Sequence, residues 1–212
     1  MKQIKLPKPH LSWSQMDLWR RSPETYRKQY YPEKKPKIHP SPEMRFGNYV
    51  TDEMEKGNPD FDFIPRLKEF ERYFEWDFEG VKVIAYLDNG TYDIPLPEFN
   101  EQKTGRTVWT QSKVDNHKQN VIYSLLVQKN LGAVNDLMRM IDVRTEKIEE
   151  VEKYEVMPGI FTEKVTSKIR VTGEVNIKER IITQEERDEM EREIIRIGHE
   201  IAEDYAALGK FY

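Results

Sequence analysis

Asp88 is followed, after twelve residues, by Glu101-Gln102-Lys103. If residues 81–87 and 98–103 are neighbouring strands, their adjacent ends bring the two carboxylates together. Such a pair is a hard oxygen site suited to Mg²⁺ or Mn²⁺. Side chains alternate along a strand, so Glu101 and Lys103 share a face, while Gln102 points away and offers its backbone carbonyl as a further ligand. A divalent metal lowers the pKa of a bound water and neutralises charge on a phosphate. A lysine beside it orients that water or stabilises the charge that develops. Metal, carboxylates and lysine together are what phosphodiester hydrolysis needs. Taken alone, acidic-x-lysine is a common pattern in a chain that is 34% charged, and most copies are exposed strand faces.

The elements that must position these residues are legible around them. Phe74, Trp76 and Phe78 alternate with acidic residues, the period of a strand with one buried face. Val81 to Leu87 is nearly all apolar, as in a central strand covered on both faces. Asp88-Asn-Gly90 reads as a turn. A strand should end at residues 99–103, followed by Thr104-Gly105. Ser112 with Asp115 predicts the start of a helix running to about Asn130, with Val114, Val121, Ile122, Leu125 and Leu126 as one apolar stripe. On that helix Gln119 and Tyr123 lie four apart, on one edge of the stripe.

Upstream, Ser12-Trp-Ser14-Gln-Met-Asp17 offers two overlapping serine-capped helix starts, with Gln15 or Asp17 reaching back, and Pro23 opens a second short helix to Tyr30. Residues 32–42 hold four prolines and a lysine cluster, a loop, and a helix from about Met44 to Glu55 stops at Gly57-Asn-Pro59. Downstream, residues 134–145 and 147–157 read as two strands. Further strand is expected near 168–171 and 175–182. Thr183-Gln-Glu-Glu186 is a capping box opening a long amphipathic helix with Met190, Ile194, Ile197 and Ile201 inward. This order predicts one α/β domain, a central mixed sheet flanked by helices.

Composition narrows the function classes. The 212 residues contain no cysteine, which excludes a disulfide framework, a thiolate zinc site, an iron–sulfur cluster and a cysteine nucleophile. A cytoplasmic setting is the expectation. No apolar run reaches the roughly 18 residues of a membrane span, and the N-terminus lacks the pattern of a secretory signal. Residues 1–37 carry ten Lys or Arg against three Asp or Glu, so this +7 arm precedes a body of −11 in a chain of net −4. A basic arm fits a polyanionic partner, and equally a merely solvated surface. Trp13, Trp19 and Trp109 beside Arg20, Arg21, Arg106, Lys113 and Lys118 could stack on and grip nucleic acid, although tryptophans are more often core. His10, His39, His117 and His199 have no paired ligand spacing and read as surface or core residues. No phosphate-loop motif occurs.

Together, Asp88, Glu101-Gln-Lys103-Thr-Gly105 and Gln119-x-x-x-Tyr123 resemble the PD-(D/E)XK nuclease superfamily, and most closely its RecB-type and phage exonuclease branch. Leu11-Ser-Trp-Ser14, Ser22-Pro-Glu-Thr-Tyr26, Phe46-Gly47-x-x-Val50 and the helix after Arg180 are similar to other parts of that branch, in order, from residue 11 to about 205. No single motif is specific; their order and spacing are. The resemblance implies a restriction-endonuclease-like core over residues 43–212, with residues 1–42 a basic helical arm of the same domain. It implies a Mg²⁺- or Mn²⁺-dependent DNA exonuclease of recombination, repair or replication, bacterial or phage-encoded and working in the cytoplasm. Asp88, Glu101 and the Gln102 carbonyl would hold metal, Lys103 would assist the attacking water, and Gln119 and Tyr123 would position the DNA backbone or the lysine. Any helicase or recombination partner would be a separate chain.

The departures are specific. Leu87 stands where a proline is usual. Thr51 replaces the histidine or glutamate expected four residues after Gly47, and Glu55, one turn on, is the candidate substitute. Ser22 stands where iron–sulfur members have cysteine, so no cluster is expected. Thr51 also supports a second reading, a catalytically silent DNA-binding or assembly protein with the nuclease fold. A nuclease acting on RNA is a third.

Overall fold

The computed structural model describes residues 4–32 and 39–208. Most of the proline-rich loop, residues 33–38 with its lysines, lies outside the described residues.

Three helices come first: α1 (Trp13–Arg21), α2 (Pro23–Tyr30) and α3 (Pro42–Glu55). Proline at the first position suits α2 and α3, because its missing N–H would have had no partner there. Ser22 and Ser41 cap them, their hydroxyls accepting from the N–H groups of Thr25 and Met44. Ser12 does not cap α1; its hydroxyl meets that of Ser14 at 3.0 Å instead.

Five strands form one mixed sheet in the order of the chain: β1 (Glu69–Phe78), β2 (Val81–Thr91), β3 (Glu98–Gly105), β4 (Leu137–Met157) and β5 (Ile160–Ile181). All neighbours are antiparallel except β3 and β4, which are parallel. A parallel pair needs a crossover, supplied here by α4 (Gln111–Asp115) and α5 (Gln119–Leu131). A last helix, α6 (Gln184–Leu208), closes the domain. Its capping box is formed: Thr183 Oγ1 accepts from Glu186 N–H at 3.2 Å, and Glu186 returns the bond to Thr183 N–H at 2.9 Å.

The period-2 alternation of β4 separates two apolar layers. Met138 and Met140 join Val81, Val83, Leu87, α5, α6 and the N-terminal helices. Ile141 and Val143 join Val50 and Met54 of α3, with Phe61 and Ile64. The result is a single α/β domain, a mixed sheet flanked by helices. α6 lies close on β2 because Gly198 has no side chain: a Cβ there would meet Val81 Cγ2 at 2.4 Å.

Several elements differ from the sequence expectation. β2 is covered on one face only, since Tyr86 is 55% exposed and stacks on exposed Tyr73 of β1. Trp76 is exposed while Phe74 and Phe78 are buried. Asp88-Asn-Gly90 is not a turn but strand. Gly90 leaves room for the Tyr92 ring, which a Cβ would meet at 2.2 Å, and the buried Asn89 side chain binds the backbone of Leu67 and Glu69. The helix expected from Ser112 breaks at residues 116–118; Thr110, not Ser112, caps α4. α5 carries no single stripe: residues 120–127 are all buried, as in a helix enclosed by the fold. The strands expected at 134–145 and 147–157 are one strand, and with β5 they extend past the sheet as a two-stranded ribbon. Cross-strand pairs hold that ribbon, among them Lys153–Glu163 at 3.2 Å and Arg170–Glu146 at 2.7 Å.

Candidate functional site

β2 and β3 pair only at Asn89↔Asn100, Gly90↔Phe99 and Thr91↔Glu98. Beyond Asn89 and Asn100 they splay apart, and Leu11 takes the edge of β2 at Val83. The first residues past the last pair are Asp88 and Glu101, so the two carboxylates flank the opening. Asp88 Oδ2 spans it, accepting from the Gln102 N–H at 2.9 Å. Glu101 and Lys103 share a face as alternation requires, and the Lys103 ammonium donates to Glu101 Oε1.

α5 completes the group from above. Lys103 Nζ lies 3.4 Å from Gln119 Oε1, and Gln119 Nε2 donates to the Tyr123 hydroxyl at 2.5 Å. Gln119 and Tyr123 can act together because four residues is one helical turn. An open cleft of about 410 Å³ lies over these residues, lined by Asp88, Glu101, Gln102, Lys103 and Gln119, by Gly47 and Thr51 of α3, and by Glu43 and Glu71.

Burial sets the electrostatics. It raises the Asp88 carboxyl above its ordinary value, opposed by the Gln102 N–H and Lys103. Burial and the Asp88 charge push Glu101 up to about 7, again against Lys103. For Lys103 burial acts downward, but the Glu101 and Asp88 carboxylates more than reverse it, and the ammonium is held above its ordinary range. Burial, followed by the Glu101 charge, raises the Tyr123 phenol.

These residues suit a divalent metal. Glu101 is 1% exposed, yet its Oε2 has no hydrogen-bond partner among the described residues. A buried carboxylate oxygen left in that state is costly unless a cation meets it. Among the described residues no group of three His, Cys, Asp or Glu side chains encloses a cation site. Two carboxylates and a carbonyl would leave the remaining positions to water and substrate oxygens, the arrangement Mg²⁺ tolerates best.

Thr51 faces the cleft, and its hydroxyl donates to the Gly47 carbonyl at 3.4 Å. Glu55 is exposed and outside the cleft lining, so the fold does not bring it to the site. Of the cations considered for nucleic-acid contact, Arg106 follows β3 near the cleft, where its charge reaches Glu43. Arg20 and Lys118 share Glu193 of α6, at 2.5 and 3.1 Å. Exposed Arg21 pairs with Asp17, and Lys113 is exposed on α4. None of these five cations lines the cleft. Trp19 is core, its indole donating to Glu200, whereas Trp13 and Trp109 are half-buried against His117.

No family model matches the chain, and no curated protein matches it. Among solved structures it is similar to a crystal structure described as a "putative exonuclease" from Eubacterium rectale, at 13% identity, covering 91% of this chain and 82% of that one, with a TM-score of 0.49. At that identity and score the likeness says nothing of the chemistry, which stands on the side chains.

Sequence reasoning missed three contributors to the site. Glu71 has φ +48, a left-handed conformation rare for glutamate, and the β1–β2 register sets it opposite Asp88, between Phe70↔Asn89 and Arg72↔Leu87. Glu43 reaches the cleft from the first turn of α3. His117 touches Gln119 from the break between α4 and α5. Only the last had a usable signal, since it lies two residues before Gln119.

Proposed function

We propose that the protein is a divalent-metal-dependent nuclease that hydrolyses phosphodiester bonds in DNA. The observation that carries this reading is the meeting of Asp88, Glu101 and Lys103 where β2 and β3 part, under Gln119 and Tyr123. Asp88, Glu101 and the Gln102 carbonyl would hold Mg²⁺ or Mn²⁺, which supplies charge neutralisation at the phosphate and a more acidic water. Glu101 keeps Lys103 charged and fixed. The ammonium then orients the attacking water, or meets the negative charge that grows on the phosphoryl oxygens. Gln119 holds the lysine from the other side, and Tyr123 anchors Gln119. Because the cleft is open, a DNA strand can enter along it. Of the five cations considered, Arg106 is the best placed to meet its phosphates, since its charge reaches Glu43 of the cleft lining.

The exonuclease assignment belongs to the same proposal and rests on the resemblance carried by Lys103-Thr104-Gly105, which here is the end of β3 and not a turn, followed by the Gln119-x-x-x-Tyr123 helix. Thr51 favours a second reading: with a hydroxyl in place of a metal ligand on α3, the domain binds DNA without cutting it. Incubation with end-labelled single- and double-stranded DNA, in Mg²⁺, in Mn²⁺ and in chelator, separates the two. The nuclease reading expects metal-dependent cleavage that Asp88→Ala abolishes while the fold persists. Binding without cleavage in either metal would favour the silent reading.

A further inference from the structure

His117 sits at the junction of three parts of the molecule. Its ring meets Trp13 of α1 edge-on at 6.1 Å and Trp109 at 5.0 Å. Trp109 is itself anchored at the main chain, its backbone N–H donating at 3.1 Å to the fully buried Asp142. The His117 carbonyl accepts from Arg180 at 3.3 Å. These contacts explain why the ring is held still. They do not explain the ring's one hydrogen bond among the described residues, His117 Nε2 to Gln119 Oε1 at 3.0 Å. That oxygen is the atom that also faces the Lys103 ammonium.

We propose that His117 is a positioning residue for Lys103: its Nε2–H fixes the side-chain amide of Gln119, whose oxygen then holds the Lys103 ammonium beside Glu101. The inference rests on the nuclease reading for its consequence in turnover, but its geometry stands apart from it.

An ammonium only donates, so Gln119 must turn its oxygen to Lys103. Nothing in the Gln119–Tyr123 bond enforces this, because a phenol can both donate and accept. If the amide flipped, its NH₂ would face the ammonium and push it from the cleft. His117 reinforces the choice, because an Nε2–H beside the same position can donate only to the oxygen. The ring must carry its proton on Nε2, and Lys103 selects that tautomer by holding the Gln119 oxygen toward both groups. Burial, then the Lys103 charge, drives the His117 imidazolium down to about 4. Trp13 brings the N-terminal arm into the same chain of contacts, so the arm supports the site through this ring.

The test uses the full-length protein and variants at position 117. His117→Phe keeps a ring between the two tryptophans and removes the donor; His117→Gln restores one. In single-turnover cleavage, His117→Phe should be roughly 10–100-fold slower, the range for partners that orient a site from behind. DNA affinity measured in Ca²⁺ should change less than about twofold, and His117→Gln should recover most of the rate. The second readout needs no DNA. In the metal-free protein, the ¹⁵N-resolved side-chain amide signals of Gln119 should be alike in wild type and His117→Gln, and shifted in His117→Phe, where only the bonds to Lys103 and Tyr123 remain. The third needs no variant: the ¹⁵N shifts of His117 should show Nε2 protonated and Nδ1 bare. A bare Nε2 would overturn the proposal. So would Gln119 signals unmoved in His117→Phe, or a His117→Phe rate equal to wild type. If wild type never cleaves, the nuclease reading fails, and the two NMR measurements still decide the role of His117.

Discussion

Replacing Glu101 with glutamine should stabilise the metal-free protein at pH 8, although it removes a buried ion pair. Glu101 is 1% exposed, and its carboxyl lies at about 7 against an ordinary 4.5, with the attraction of Lys103 already included. At roughly 1.4 kcal/mol for each pH unit between those values, ionised Glu101 costs the folded state about 3 kcal/mol at pH 8. The sign follows from linkage. A carboxyl raised in the folded state binds its proton more tightly there, so its contribution is fully present below pH 4.5 and lost as pH rises through 7. Glutamine mimics the protonated form at every pH, so the gain from Glu101→Gln should approach about 3 kcal/mol at pH 8 and vanish below 4.5. His117, lowered to about 4, works in the opposite sense, losing stability as pH falls from its ordinary 6.5; it is common to both proteins and cancels in the difference. The assay is urea unfolding with chelator at pH 4 and pH 8. Divalent metal at a thousandfold excess over Kd should then reverse the order, because wild type gains about 4.1 kcal/mol there and the variant gains little. A Glu101→Gln protein less stable than wild type at pH 8 without metal would refute the reasoning, since the Glu101–Lys103 pair would then be net stabilising.

Two further outcomes follow from the packing and the caps. Gly198→Ala places a methyl 2.4 Å from Val81 Cγ2 and should cost about 1–3 kcal/mol in urea unfolding; an unchanged midpoint would mean that α6 lies farther from β2. Thr183→Ala should cost about 1 kcal/mol by breaking the capping box, whereas Ser12→Ala, at a helix start with no side-chain cap, should fall within about 0.5 kcal/mol of wild type; equal losses would contradict the cap assignments.

The parts of the fold legible in the sequence were those fixed by local chemistry. The Thr183 box and Pro23 each act over a few residues, and the structure keeps them, whereas the alternation of Phe74, Trp76 and Phe78 gives the strand but buries only the two phenylalanines. The expectations it overturns depended on distant partners. Asn89-Gly90 is strand because Tyr92 needs the space and the backbone at 67–69 needs the asparagine, and neither demand is visible at the dipeptide. α5 shows no stripe because it is enclosed on all sides. The β4–β5 ribbon is held by the backbone ladder between the two strands, with ion pairs across it, and neither the partner strand nor the pairs are visible along one strand alone. Within the candidate site, Glu101 and Lys103 share a face by alternation, and Gln119 and Tyr123 by helical spacing. The convergence of Asp88 with Glu101 required the two strands to be neighbours, as they are. Glu71 was invisible because only its backbone conformation and the β1–β2 register bring it to the cleft.

The central claim is that Lys103 serves a hydrolytic transition state beside a metal held by Asp88 and Glu101. The most direct measurement pairs single-turnover DNA cleavage in Mg²⁺ or Mn²⁺ with DNA binding in Ca²⁺, for wild type and Lys103→Ala. The account expects a metal-dependent wild-type rate that falls by roughly two to four orders of magnitude in the variant, about 3–5 kcal/mol of transition-state stabilisation. Affinity should be little changed, because one lysine is a small part of a phosphate-binding surface. A cleavage rate that survives the substitution, or a wild type that binds DNA and cuts it in neither metal, would contradict the claim.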